Sequence, residues 1–285
     1  MLFHLASLFH AIFGSEDMKT GYHAIYEENF YRAIDHAAEC GFEFVQFDLG
    51  VPTFFIDNLS DTDLKEIRDY AKSKRVEITF HAPGDNVSLF CDYPLIRDGI
   101  MKQFKMIIKK ANILEARHIT IHAGDYPRFK KSGTEADDYT PACRDHYENI
   151  LYDNLGDLIL SSKKTFICLE NNQFNPLVVS VAKKLIQDGF SLYFTMDLAK
   201  MYTAGNRINN DDFAFFKEFR NNVRELHIHD RNEAFGMHQI VGTGIVDFTA
   251  FNEFIQNEKV YLNFEVRPLE SAVQAKKALF KLLSL

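Results

Sequence analysis

The sequence predicts an α/β protein of the (β/α)8 barrel class. Short apolar, strand-like runs alternate with helix-like stretches eight times along the chain. Eight such units in 285 residues leave about 36 residues for each, which suits parallel βα units closed into a barrel. Six of the runs end on a histidine or a carboxylate, and the strand ends are where a barrel of this class carries its chemistry. They are Ile78-Thr79-Phe80-His81, Ile119-Thr120-Ile121-His122, Phe166-Ile167-Cys168-Leu169-Glu170, Leu192-Tyr193-Phe194-Thr195-Met196-Asp197, Val223-Arg224-Glu225-Leu226-His227 and Tyr261-Leu262-Asn263-Phe264-Glu265. A doubly wound open sheet is the alternative. No GxGxxG follows the first strand, and Gly242-Thr243-Gly244 stands alone late in the chain, so a dinucleotide fingerprint is not supported. No composition break marks a second domain, and residues 1–285 read as one barrel domain.

Taken in order, residues 2–9 read as strand one. Residues 28–39 read as a helix with Phe30, Ala33, Ile34, Ala37 and Ala38 on one face and Gly41 as its stop. Strand two is Phe44–Leu49, ended by Gly50 and Pro52. Ser60 and Asp63 form a capping-box pattern opening a helix that turns Leu64, Ile67 and Ala71 inward. Strand three is Val76–His81. The helix over 98–116 carries an apolar stripe of Ile100, Phe104, Ile107, Ile108 and Ala111, with Lys102, Lys105, Lys109 and Lys110 as a solvated face. Strand four is His118–Ala123. The polar connection 124–140, with Arg128, Lys130 and Lys131, is long enough to be expected to cover a site. A helix over 143–162 leads to strand five at Thr165–Glu170. Pro176 opens the next helix, strand six is Ser191–Asp197, a helix spans 211–220, and strand seven is Val223–His229. After the glycine-rich loop 230–246 come a helix from Asp247 to Asn257, strand eight at Val260–Glu265, and a last helix opened by Pro268.

The totals exclude some classes of function. A net charge of −8 disfavours a nucleic-acid binder relying on a broad basic face. The four cysteines, Cys40, Cys91, Cys143 and Cys168, form no CxxC pair, so neither a cysteine zinc cluster nor a thioredoxin-like motif is indicated. Cys40 and Cys168 sit in apolar segments and read as small core residues. Reduced thiols fit a cytoplasmic address. The apolar N-terminus is interrupted by His4 and His10 and lacks a basic region, which argues against a signal peptide. No uninterrupted apolar run is long enough to cross a bilayer.

Three carboxylates and three histidines converging at one barrel mouth would repel or titrate one another without a cation. With a divalent ion they become a ligand shell, and carboxylate oxygen with imidazole nitrogen suits zinc, manganese or iron. Side chains alternate along a strand, so Thr195 with Asp197, Asn263 with Glu265, and His227 with His229 share faces. Parity therefore leaves open whether His227 or His229 is the ligand.

At these residues the sequence resembles the xylose isomerase-like TIM barrels, the superfamily that joins sugar epimerases and isomerases, inosose-processing enzymes and endonuclease IV. The resemblance covers nearly the whole chain and is clearest from His81-Ala82-Pro83 onward. The segment Asn86-Val87-Ser88-Leu89 is similar to the endonuclease branch. The resemblance implies that Glu170, Asp197, His227 and Glu265 hold a metal. It also implies that His81 and His122, with Glu170 as a bridge, hold a second one, so that one or two zinc or manganese ions are expected. Two departures stand out. Lys200 replaces the usual histidine three residues after the strand-six aspartate, and Gly236-Met237-His238 replaces an Asp-x-His, so a third zinc site lacks two of its ligands.

The leading reading is a metal-dependent sugar or sugar-phosphate isomerase or epimerase of carbohydrate metabolism. In similar epimerases the residues corresponding to Glu170 and Glu265 move the proton. Lys200, His238, Arg231 and Arg267 are candidate holders of substrate oxygens, and Arg128-Phe129-Lys130-Lys131 a candidate phosphate clamp. The rival is a two-metal phosphodiester hydrolase of apurinic endonuclease type, and a third possibility is a degenerate barrel used as a binding module.

Overall fold

The computed structural model describes residues 18–84, 87–126, 132, 140–172, 174–203 and 205–285. Eight parallel strands close into a barrel: β1 (Lys19–Ala24), β2 (Phe44–Asp48), β3 (Glu77–His81), β4 (His118–Ile121), β5 (Phe166–Glu170), β6 (Leu192–Asp197), β7 (Val223–Ile228) and β10 (Tyr261–Phe264). An antiparallel hairpin of β8 (Asp230–Asn232) and β9 (Gly236–Gln239) is inserted between the last two barrel strands. No described helix is long and apolar enough to cross a membrane.

Residues 2–9, which read as strand one, lie outside the described residues. The strand that closes the barrel is Lys19–Ala24, paired with Tyr261–Phe264 on one side and Phe44–Phe47 on the other. Its sequence, Lys-Thr-Gly-Tyr-His-Ala, shows no apolar run because only its outward positions Tyr22 and Ala24 pack against the helices. Gly21 leaves room for the ring of Phe44, since a Cβ there would lie 2.5 Å from three of its ring carbons. Gly21→Ala is therefore expected to destabilise the fold by about 1–3 kcal/mol, the usual cost of overpacking a filled core, measured by urea denaturation. Unchanged stability would show that β1 is not packed in this register.

The barrel interior is polar through most of its depth. Gln46, Thr79, Thr120, Thr195, Glu225 and Asn263 form a fully buried layer beneath the strand ends. Glu225 accepts hydrogen bonds from Gln46 Nε2 at 2.7 and 3.0 Å, Thr120 Oγ1 at 2.6 Å and Thr195 Oγ1 at 3.2 Å. Gln46 Oε1 in turn accepts from Asn263 Nδ2 at 2.7 Å. The apolar core thus lies between strands and helices rather than inside the barrel. Its buried residues include Phe47, Phe80, Ile119, Phe194, Phe215 and Phe216.

Two helices start earlier than their apolar stripes indicate. Pro94 and Pro141 stand in the first turns of Pro94–Leu114 and Pro141–Ser161, where the missing N–H costs nothing. In the first of these the lysine face is not uniformly solvated: the Lys110 ammonium donates to the carbonyls of Asp57 at 2.7 Å and Leu59 at 2.8 Å. The helix expected over 247–257 is a 3-10 turn, Phe248–Phe251, followed by one α turn, Asn252–Ile255. Phe248, Phe251 and Phe254 are all buried, and their spacing of three matches 3-10 rather than α geometry. Cys168 is buried and Cys40 half-buried, and all four cysteines are free.

Candidate metal centre

The parallel register brings the inward-facing residue at or just past each strand end to the same level. Asp48 lies beside His81, Glu170 beside Thr195, Asp197 beside His227, and His227 beside Asn263. The strand-end residues singled out in the sequence thereby meet around one mouth. Glu170, Asp197, His227 and His229 are fully buried, and Glu265 and His81 nearly so.

Glu170 sits between two groups. Its Oε2 lies 2.8 Å from His122 Nε2 and 3.3 Å from His81 Nε2. Its Oε1 accepts from the Lys200 ammonium and lies 3.8 Å from His227 Nδ1. Burial would raise the Glu170 carboxyl, but Lys200, His122 and His227 outweigh it and hold the group well below the usual range. Asp197 Oδ2 faces His229 Nε2 and Lys200 Nζ, both at 3.2 Å. Glu265 faces His227 Nδ1 at 3.2 Å, His23 Nδ1 at 3.2 Å, His229 Nε2 at 3.7 Å and Arg267 Nη2 at 3.2 Å. Burial raises the Glu265 carboxyl, and His227 and His23 more than reverse it.

Sequence reasoning missed His23 and Asp48. His23, one residue before the end of β1, stacks on His81 with ring centroids 5.4 Å apart and points Nε2 at Asp48 Oδ2, 3.4 Å away. Placing strand one at 2–9 hid it. Asp48 carried a usable signal, since Phe44-Val45-Gln46-Phe47-Asp48 ends on a carboxylate, as three of the six runs do. His229, left open by parity, is placed as closely as His227. Its Nδ1 lies 3.1 Å from both the Asp230 carbonyl and the donating His238 N–H, and its Nε2 faces the carboxylates.

The candidate substrate-holding residues are placed unequally. His238 overhangs the mouth from the hairpin. Its Nδ1 lies 3.1 Å from the Glu265 carbonyl, and its ring centroid lies 4.5 Å from that of His229. It holds a φ of 61°, unfavourable for a side chain of this size. Arg267 lies against Glu265. Arg231 instead turns away, donating from Nη1 to the Tyr202 carbonyl at 3.0 Å. The residues Arg128-Phe129-Lys130-Lys131, and Asn86 of the endonuclease-like segment, lie outside the described residues.

The donor set fits a divalent ion. Among the described residues three groups form in which each residue offers one ligand atom within 4.8 Å of the others: His81–His122–Glu170, Glu170–Asp197–His227 and His229–His238–Glu265. Glu265 Oε2 and both nitrogens of His227 are buried without a hydrogen-bond partner. Buried polar atoms are rarely left so; Oε2 and Nδ1 face each other at 3.2 Å, a separation that either a protonated imidazole or a shared cation satisfies.

The metal-free protein is expected to weaken in acid. Burial raises the Asp197 carboxyl, but His229 and Lys200 pull it down to about 2, below its ordinary 3.8. A depressed carboxyl contributes stability that is full above its unfolded value and is lost as pH falls through the folded one. The urea midpoint should therefore drop between about pH 4 and about pH 2. Asp197→Asn should flatten that drop, and an unchanged slope would refute the assignment.

The comparisons agree with the barrel. Among curated proteins no sequence relative is found. Solved structures similar to this chain include a D-tagatose 3-epimerase-like protein (TM-score 0.72, 18% identity, covering 94% of this chain and 97% of that one). A 3-keto-D-glucoside 4-epimerase from E. coli is also similar (TM-score 0.68, 17% identity, 93% and 99% covered). So is a probable 3-DHS dehydratase from Bacillus anthracis (TM-score 0.67, 18% identity, 94% and 99% covered). At such identities the likeness speaks for the fold. The family model described as xylose isomerase-like TIM barrel matches residues 34–282, and the chain therefore belongs to that family.

Proposed function

We propose that the chain is a metal-dependent sugar or sugar-phosphate isomerase or epimerase. The observation that carries this reading is the buried convergence of ligand-type atoms, Glu265 Oε2 facing His227 Nδ1 at 3.2 Å and Glu170 and Asp197 grouped with the same histidine. Several structural neighbours act on sugars by epimerisation, and the site's chemistry suits such a reaction. Glu170, Asp197, Glu265 and an imidazole of His227 or His229 would hold a zinc or manganese ion. When bound, the ion supplies Lewis acidity to a substrate carbonyl and its neighbouring hydroxyl, which acidifies the C–H between them. The chain's own residues do the rest. Glu170 ends β5 and Glu265 follows β10, with β6 and β7 between them in the barrel, so one carboxylate would take the proton and the other deliver one. Arg267 and His238 border Glu265 and can hold a hydroxyl, and burial lowers the affinity of His238 for a proton, so that it is neutral at pH 7.

Incubation of the metal-loaded protein with ketoses and their phosphates in D2O is expected to place deuterium at the carbon next to the carbonyl, read by NMR or mass spectrometry. Absence of exchange across a broad panel with zinc and with manganese would defeat the proposal. The His81–His122–Glu170 group favours a second reading, a two-metal phosphodiester hydrolase. Cleavage of a duplex containing an abasic site would establish it, and no cleavage with either metal would remove it.

A further inference from the structure

Glu170 presents its two oxygens to two unlike environments. Oε2 faces only imidazoles, His122 Nε2 at 2.8 Å, whose Nδ1 lies 2.9 Å from the Asn172 side-chain amide, and His81 Nε2 at 3.3 Å. His81 Nδ1 lies 2.9 Å from the Ala82 carbonyl. If Nδ1 donates there, Nε2 carries a lone pair, the form that ligates a metal. A lone pair aimed at a carboxylate oxygen across 3.3 Å is a contact between two acceptors, and a cation between them resolves it. Among the described residues no ammonium or guanidinium pairs with Oε2.

The other side differs. Oε1 takes the Lys200 ammonium, which also stands 3.2 Å from Asp197 Oδ2. The remaining Asp197 oxygen accepts from the backbone N–H groups of Ala199 at 2.9 Å and Lys200 at 3.1 Å. The oxygens that Glu170 and Asp197 would jointly offer a divalent ion are thus already turned to a positive charge. The turn after β6 delivers that charge to a side chain about three-quarters buried. A divalent ion entering there meets like-charge repulsion as well as competition for its ligands.

We propose that Lys200 is the resident cation of the Glu170–Asp197 centre, so that the first divalent ion is taken by His81, His122 and Glu170 Oε2. The four-ligand centre then fills only when the ammonium is displaced. This inference rests on the metal-dependent reading above and concerns the order and affinity of loading.

The test is calorimetric titration of EDTA-stripped protein with MnCl2 alone, comparing wild type with His122→Ala, Asp197→Asn, Lys200→Met and Lys200→Arg. Wild type is expected to take one tight ion. His122→Ala should weaken it by about 10–100-fold, and Asp197→Asn by less than about threefold. Lys200→Met should titrate with a second ion, and Lys200→Arg, which keeps the charge, should not. The proposal is overturned if Asp197→Asn loses the tight ion while His122→Ala keeps it, or if Lys200→Met binds as wild type does. Should Lys200→Met fail to fold, the His122 and Asp197 variants still decide between the two corners. Binding that depends on Asp197 alone refutes this loading order and leaves the functional reading intact, whereas binding of no ion by any variant refutes both.

Discussion

Glu170→Gln is expected to lower deuterium exchange into substrate by about 10³-fold or more, the scale of losing a positioned proton-transfer group, and to remove tight metal binding. The substitution keeps the shape of the side chain and removes its charge. Oε1 faces the Lys200 ammonium, and Oε2 faces His122 and His81. With its NH2 toward Lys200 the new amide opposes an ammonium, and with its NH2 toward the imidazoles it fills the place a cation would take. Stability should fall too. Breaking a buried ion pair by removing one partner costs about 3–5 kcal/mol. The cost here belongs at the low end, because Lys200 retains Asp197 and some access to solvent. The sign of the stability change is informative. If the cluster were an idle relic in a binding barrel, removing one of its crowded carboxylates would stabilise the fold. A more stable Glu170→Gln protein that still binds its ligand would end the catalytic reading.

Legibility in the sequence followed where the apolar residues were. Strands such as Phe166–Glu170 and Leu192–Asp197 are buried on both faces, so they announce themselves as apolar runs ending on a charge. The same logic concealed Lys19–Ala24, whose inward positions are Lys19, Gly21 and His23 and whose outward ones are too few to make a run. The polar interior layer around Glu225 was also invisible. Thr, Gln and Asn scattered in separate strands give no local signal, and only closure of the barrel brings Gln46, 179 residues away in sequence, onto Glu225. Lys200 was legible as a departure, but its placement between Glu170 and Asp197 needed side-chain geometry. So did the comparison of His227 with His229, because both imidazoles reach Glu265 and only His229 has its other nitrogen held by hydrogen-bonding neighbours.

Asp230→Ala is expected to cost about 3–5 kcal/mol, since hydrogen bonds to a charged acceptor are each worth about 1.5–3 kcal/mol before solvent compensates part of the loss. For a domain of this size that lowers the melting temperature by on the order of 10 °C. The carboxylate organises the whole connection after β7. Its Oδ1 accepts from the N–H groups of Arg231 at 2.8 Å and Val246 at 3.0 Å, and its Oδ2 from Gly242 at 3.0 Å and Gly244 at 2.8 Å. Removing it strands four donors at once. Gly244 is part of the same arrangement, because a Cβ there would lie 2.0 Å from the Arg231 carbonyl oxygen and 2.4 Å from Asp230 Oδ1. Gly244→Ala should therefore reproduce much of the effect by pushing the loop off the carboxylate. Asp230→Asn should be little better than alanine, since its NH2 would face two N–H groups. The consequence reaches the site through the hairpin. The Asp230 carbonyl and the His238 N–H both lie 3.1 Å from His229 Nδ1, and these contacts aim His229 Nε2 at Asp197 and Glu265. In the Lys200→Met background, where the four-ligand centre titrates, loss of such an orienting partner is expected to weaken the second ion by about 10–100-fold. Calorimetry on the Asp230 and Gly244 variants below their melting temperatures checks this. A hairpin that serves only stability would give lower melting temperatures with metal affinity unchanged.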